Sequence, residues 1–259
     1  MNPLMSAGLQ VNEHGKIFVL NQKALPHKEE WLESSSISDM SDIIKTLKVR
    51  GAPLIGVSAA LALAQCAEQG ANEETLLKAA AQLKAARPTA VNLAYCIDRM
   101  LAVYGDKKNI TALIQEAENI FIEDAKLSQK MAEHAAEFIY NDMRILTHCN
   151  TGGLVTTGIG TALGAIILAH QQGKNPFVYV NETRPLLQGG RLTAWECVQN
   201  GISHQILCDN AAASLMQENK VDAIFVGADL SNKDLSNMDF SYANLMNANL
   251  VNSILNGIH

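Results

Sequence analysis

Four short apolar runs, each separated from the next by a stretch with helical spacing, constrain the second half of this chain more than any other feature. Residues 145–148, 177–180, 205–207 and 223–226 have the length and composition of strands. A helix to about Gln172 follows the first run, residues 186–199 read as helix after the second, and residues 211–218 after the third. Strands that alternate with helices pack as a parallel sheet with crossover helices on its faces. Ligands of such sheets gather at the carboxyl ends of the strands. His148, Cys149, Asn181, Asp209 and Asp229 stand at or just past those ends.

Ahead of this region the period is helical. Residues 38–48 carry Met40, Ile43, Ile44 and Leu47 at helical spacing. Pro53 suits the first turn of a helix that runs to about Gln69. Further helices are expected at 73–86, 89–104 and 110–139. A strand at 16–20, a turn near Asn21 and a pairing segment at 31–33 supply a small β element. The fold class is α/β. Residues 1–139 form a mainly helical domain and residues 140–228 a truncated Rossmann-like domain with a parallel sheet.

The period changes again at Asp229. Leu230, Leu235, Phe240, Leu245, Leu250 and Leu255 recur every five residues, and the first five each follow Asp or Asn. Five fits neither a helix nor a strand. It resembles the pentapeptide repeat, a right-handed quadrilateral β-helix with the central Leu or Phe stacked inside. Residues 229–259 are therefore expected to form a short β-helical tail, with about one and a half coils and no stable core of its own.

Composition excludes several classes. The net charge of −6 comes without any Lys/Arg cluster, which argues against a nucleic-acid partner. The longest apolar run, 163–169, is too short to span a bilayer, and the N-terminus lacks a basic segment followed by an apolar one. Five cysteines without CxxC spacing point to reduced thiols in a cytoplasmic protein, not to disulfides or zinc. The seven histidines show no metal-ligand spacing.

Three segments carry chemistry. In RILTHCNTGGLVTTGIG a strand delivers Cys149 to a Gly-rich turn that leads into a helix. A helix N-terminus lowers a thiol pKa and favours thiolate. Glycines let backbone amides approach a phosphate. The residues alone slightly favour the plainer alternative, an inert cysteine buried in a tight turn. In VYVNETRPLLQGGRLTAWEC, residues Glu182, Arg184, Gln188 and Arg191 crowd one loop, suited to sugar hydroxyls or phosphate, or to capping and weak surface ion pairs. In VRGAP, Gly51 permits an unusual turn before Pro53, so exposed amides and Arg50 face an anion there. Arg87 precedes Pro88 at another helix start. The plain alternative for each arginine is a solvated side chain.

The strings VRGAPLIGVSAALALA, RPTAVNL, ILTHCNTGG, NETRPLLQGGRLTAWE, CDNAAASLM and VDAIFVGAD resemble, in order, signatures of the methylthioribose-1-phosphate isomerase family, from about Lys16 to Asp229. That resemblance implies conversion of methylthioribose 1-phosphate to methylthioribulose 1-phosphate in methionine salvage. It implies Cys149 and Asp229 as the catalytic pair, and Arg50, Gly51, Ala52, Arg87 and Gln188 as substrate contacts. It implies a sugar-phosphate substrate, no metal or redox cofactor, and a homodimer. After VGAD the resemblance stops: LSNKDLSNMDF stands where the family continues with further βα units and an Asn–Lys pair. Asp229 thus closes the isomerase pattern and opens the pentapeptide pattern. The alternative this raises is a non-catalytic sugar-phosphate-binding protein derived from the isomerase.

Overall fold

A computed structural model describes residues 1–105 and 108–226. The expectations for Asp229, for the Asn–Lys pair and for the 229–259 tail lie outside the described residues.

The chain opens with an antiparallel sheet in the order β1 (Leu4–Met5), β2 (Leu9–Val11), β3 (Ile17–Leu20), β4 (Trp31–Ser34). The pairing of β3 with β4 matches the sequence expectation, and β1 and β2 extend it. Leu9, Val11, Ile17 and Val19 all turn inward, because side chains alternate faces along a strand.

Five helices follow. Ser36 caps α1 (Ile37–Lys45) by accepting the Asp39 N–H. α1 ends three residues before position 48, and Leu47 takes a positive φ of 60° just beyond it. α2 (Ala52–Glu68) is apolar on nearly every face, with Pro53 in its first turn. A helix without a polar face must be wrapped by others; α2 packs against α1, α3 (Glu73–Ala86), α4 (Val91–Tyr104) and α5 (Ile110–Ala136). Asn72 and Asn109 cap α3 and α5. The bundle and the antiparallel sheet share one core, from Leu9 to Phe121.

The second half is the expected parallel sheet. Its strands are β5 (Arg144–Thr147), β6 (Phe177–Asn181), β7 (His204–Leu207) and β8 (Ala223–Phe225), in the order β7-β6-β5-β8. The crossovers are α6 (Ala162–Gln171), α7 (Ala194–Gln199) and α8 (Ala212–Gln217). Ile145, Leu163, Ile166, Val178, Val180 and Phe225 build a separate core here. The chain leaves β5 toward β6 and β7, then returns to the other side of β5 as β8. That reversal creates a crevice at the carboxyl end of β5, the usual place for a ligand in an open α/β sheet.

As expected, the helix after β5 follows the Gly-rich turn, and it starts at Ala162. Gly160 has a φ of +103°, which no helix accepts, and bridges Gly152 to close residues 152–160 as a compact buried loop. The helix expected from Leu186 starts as a π-helical turn at Gly189–Thr193 and becomes α-helical only at Ala194. Among the described residues, no helix is long and apolar enough to cross a membrane.

Candidate active site

Cys149 lies two residues past the end of β5, at that crevice, with a φ of +62°. A non-glycine residue there carries backbone strain and persists only where its surroundings fix it. Two threonines do so. The Cys149 N–H donates to Thr183 Oγ1 at 2.8 Å, and Thr193 Oγ1 donates to the Cys149 carbonyl at 2.5 Å. Thr183 is itself at φ +63°. It is held because its N–H and that of Arg184 donate to the two oxygens of Asp209, each at 2.8 Å. Those amides, Arg184 first, keep the Asp209 carboxyl below its ordinary range. The chain segments after β5, β6 and β7 are thus tied together at one point.

Arg50 reaches this point from the start of α2. Its Nη1 donates to Asn150 Oδ1 at 3.0 Å, and its Nη2 lies 3.6 Å from the Cys149 sulfur. Burial pushes the guanidinium pKa down, while the neighbouring Cys149 and Glu196 oppose that shift. Arg50 remains a cation in either case. Asn150 Nδ2 in turn donates to Glu196 Oε1 at 2.6 Å and to Thr193 Oγ1 at 3.2 Å. Glu196 is buried. Burial is the main cause that pushes its carboxyl up to about 7, against the pull of Asn150, the Gly153 and Leu154 amides and Arg50.

Gly51 explains how the bundle meets the sheet. Its φ is +89°, and a Cβ there would stand 2.5 Å from Val155 Cβ. The Leu54 N–H donates to the Val155 carbonyl at 3.1 Å, so the Gly-rich loop seals against the first turn of α2. Asp124 on α5 holds the same loop through the Thr157 N–H at 2.6 Å and hydroxyl at 2.9 Å.

Of the sequence-based candidates, Cys149, Arg50, Gly51 and Ala52 come together. Gln188 is half-buried beside the end of β6, where Gly189 packs so closely that a Cβ would overlap the Asn181 carbonyl. Arg87 sits on the turn between α3 and α4. The start of α4 packs on the first turns of α2, at Gly56 against Asn92, so this turn is at the same end of the bundle. The Arg87 guanidinium makes no hydrogen bond or ion pair among the described residues. Asp229 lies outside them.

One expectation needs correction. The positive group facing Cys149 is Arg50 and not a helix N-terminus, since α6 begins only at Ala162. Arg184 is exposed and pairs with Glu182 at 2.9 Å, which is the surface ion pair of the plainer alternative. Arg191 Nη1 donates to the Lys23 and Leu25 carbonyls at 3.1 and 3.0 Å, tying the π-helical turn to the loop after β3, and its charge adds to the downward push on the Arg50 pKa. Sequence reasoning missed Asn150, Thr183, Thr193 and Glu196. A faint signal existed, because Thr193 and Glu196 are three apart on one helical face.

Two surface clefts, one lined by residues 3–5 and 10–14 and one along α5 between Phe121 and Glu133, share no residue with this cluster. Neither gathers buried polar groups. Among the described residues no group of three His, Cys, Asp or Glu side chains is placed to hold a metal ion.

Known proteins share this fold. The sequence profile of the initiation factor 2 subunit family matches residues 48–237, and that of pentapeptide repeats matches residues 222–257 in eight copies. Methylthioribose-1-phosphate isomerase of Serratia proteamaculans is 48% identical over 229 residues, which cover 88% of this chain and 67% of that protein. The crystal structure of 5-methylthioribose 1-phosphate isomerase from Pyrococcus horikoshii OT3 superposes with a TM-score of 0.79 at 35% identity, covering 87% of this chain and 66% of the other. The delta subunit of translation initiation factor eIF-2B from A. fulgidus gives 0.78 at 36% identity, covering 87% and 68%. The chain thus spans about two thirds of the length of these relatives.

Proposed function

From the premise that this chain belongs to the initiation factor 2 subunit family, and within it to the methylthioribose-1-phosphate isomerases, we infer that it is an aldose–ketose isomerase that converts methylthioribose 1-phosphate to methylthioribulose 1-phosphate. The observation that carries this reading is the 3.6 Å approach of the Arg50 guanidinium to the Cys149 sulfur, at the crevice where the parallel sheet reverses.

The substrate dictates what the site must do. Phosphate on C1 locks the sugar ring, so an acid must protonate the ring oxygen before the C1–O bond breaks. Asp229 is the proposed acid. The Cys149 thiolate then takes the proton from C2, leaving an enol across C1 and C2. The enol hydroxyl returns its proton to Asp229, and the thiol delivers a proton to C1. Atoms and charge balance without an external reductant. Arg50 lies against the sulfur and stabilises negative charge there. The first turn of α2, with Gly51 and Ala52, offers amides to the phosphate. Arg87 and Gln188 are the remaining proposed contacts.

The test is turnover of methylthioribose 1-phosphate by purified protein. Cys149→Ser and Asp229→Asn should each abolish product while the fold persists. A wild type that turns over, with either variant fully active, contradicts the assignment of that residue. Ligand binding by calorimetry with no product at all would favour the second reading, a non-catalytic sugar-phosphate-binding protein.

Residues 229–259 are proposed to coil as pentapeptide repeats, a reading favoured by the profile match and the five-residue register. The division into parts at 139/140 and 228/229, the homodimer and the cytoplasmic location belong to the same proposal. Equal rapid proteolysis after Asp229 in wild type and Phe240→Asp would count against the coil, and light scattering tests the dimer.

A further inference from the structure

We propose that Glu196 is a positioning residue: through Asn150 it holds the Arg50 guanidinium against the sulfur of Cys149. The chain of contacts is continuous. Glu196 Oε1 accepts from Asn150 Nδ2 at 2.6 Å, which fixes the amide so that Asn150 Oδ1 faces Arg50. That oxygen accepts from Arg50 Nη1 at 3.0 Å, and the geometry of the guanidinium then leaves Nη2 on the Cys149 sulfur.

Each link is forced. The Asn150 amide has one donor end and one acceptor end, so turning it over would set its N–H against the Arg50 donor and its oxygen against Glu196. Glu196 and Asn150 are both buried, and a buried carboxyl is costly unless satisfied. Its donors come from Asn150 and from the Gly153 and Leu154 amides, so it also pins the loop that carries Cys149. Gly152 lies so close that a Cβ there would stand 2.3 Å from Glu196 Oε2. Thr193, one turn before Glu196, braces the same assembly through Asn150 and the Cys149 carbonyl. A glutamate spends burial on this spot and touches no reacting group, which is the signature of a residue that acts through another.

The consequence for turnover rests on the isomerase reading, so the deciding measurement does not use turnover. Full-length wild type, Glu196→Gln, Asn150→Leu, Arg50→Met and the Glu196→Gln/Arg50→Met double variant are treated with iodoacetamide. The rate at each cysteine is read by peptide mass spectrometry, with exposed Cys208 as the internal reference. Glu196→Gln sets an amide N–H where one oxygen accepted, so one donor loses its partner. Released from Asn150, Arg50 leaves the sulfur and Cys149 becomes the poorer nucleophile. Alkylation at Cys149 should fall about tenfold in each single variant, and the double variant should fall no further than Arg50→Met alone.

A purely structural role predicts the opposite sign, since a loosened loop exposes Cys149 and alkylates it faster. A Cys149 rate at or above wild type in folded Glu196→Gln overturns the proposal. If that variant does not fold, Asn150→Leu decides by the same criterion. Additive losses in the double variant also overturn it. If the wild type lacks turnover but the alkylation pattern holds, the isomerase reading fails and the positioning role stands. If turnover is present, Glu196→Gln should lower kcat about tenfold, because Arg50 is displaced from the reacting sulfur.

Discussion

The Thr193 hydroxyl donates to the carbonyl of Cys149 at 2.5 Å, across 44 residues of chain, and Cys149 occupies the left-handed region at φ +62°. The two facts are one relationship. A strained backbone at the proposed catalytic cysteine needs an external clamp, and the π-helical turn at Gly189–Thr193 supplies it. The same hydroxyl accepts from Asn150, so one oxygen orients both the cysteine and the amide that sets Arg50.

Thr193→Val tests that clamp. Valine fills the volume but offers no donor, and the Cys149 carbonyl and Asn150 amide each lose a partner. A loss of about 1–3 kcal/mol in stability is expected, measured by urea unfolding. The catalytic effect should exceed what stability explains: kcat should fall even at temperatures where the variant is fully folded.

Gly51→Ala tests the junction of bundle and loop. The backbone there has φ +89°, and the added Cβ would meet Val155 Cβ at 2.5 Å. Left-handed strain and overpacking combine, so a loss of at least about 2 kcal/mol is expected. Because Val155 must move away from α2, substrate KM should rise more than kcat falls. Thermal denaturation and steady-state kinetics check both. A variant as stable as wild type would mean the loop is not sealed on α2 in solution.

The parallel half was legible because each strand is a short apolar run bounded by turn residues, as in 145–148 and 223–226. β1 and β2 were not, since two or three residues carry no periodicity. The length of the loop before α6 was hidden because Gly158 and Gly160 look like a turn of unspecified length, and only their packing on Ala125 and Gly152 shows how far the loop extends. Cys149 and Arg50 were visible individually, one at a strand end and one before a helix start. Their meeting spans 99 residues and depends on how bundle and sheet dock. Glu196 was invisible for a different reason: a glutamate in a helix is ordinarily solvated, and nothing local marks this one as buried.

Glu196 also makes stability depend on pH. Its carboxyl moves from an ordinary 4.5 to about 7 in the folded protein, chiefly through burial. A raised folded value means that the neutral form is favoured by folding. The contribution is fully present below 4.5 and is lost as pH rises through about 7. The shift corresponds to on the order of 3 kcal/mol. Urea unfolding of wild type and Glu196→Gln at pH 5 and pH 8 isolates it: wild type should lose stability relative to the variant between the two. Parallel pH dependence would show that this carboxyl does not titrate there.

Asp222 and Arg144 fix the start of the edge strand that leads toward the proposed acid. Arg144 Nη2 and Nε reach Asp222 Oδ1 and Oδ2 at 2.6 and 2.9 Å, and the Arg144 N–H adds a third bond at 2.8 Å. The Asp222 N–H returns one to the Arg144 carbonyl at 2.9 Å. These bonds lie immediately before the pairing of Ile145 with Ala223, so they set the register of β5 against β8. Arg144 lowers the Asp222 carboxyl to about 2 from 3.8. A depressed value places the stabilising contribution above 3.8, and it is lost as pH falls through about 2. The pair is solvent-accessible, so the global effect of Asp222→Ala is expected to be about 1 kcal/mol. The local effect is larger in consequence. β8 is three residues long and pairs with β5, and Asp229 follows its end by four residues. Loosening the strand should therefore lower kcat by more than the stability loss suggests, with Cys149 alkylation unchanged. Hydrogen exchange at the Ala223–Phe225 amides should accelerate in the variant while the β5–β6 amides keep their protection. Exchange unchanged at both places would mean that the backbone ladder alone holds β8, and that the ion pair is a surface ornament with no bearing on the site.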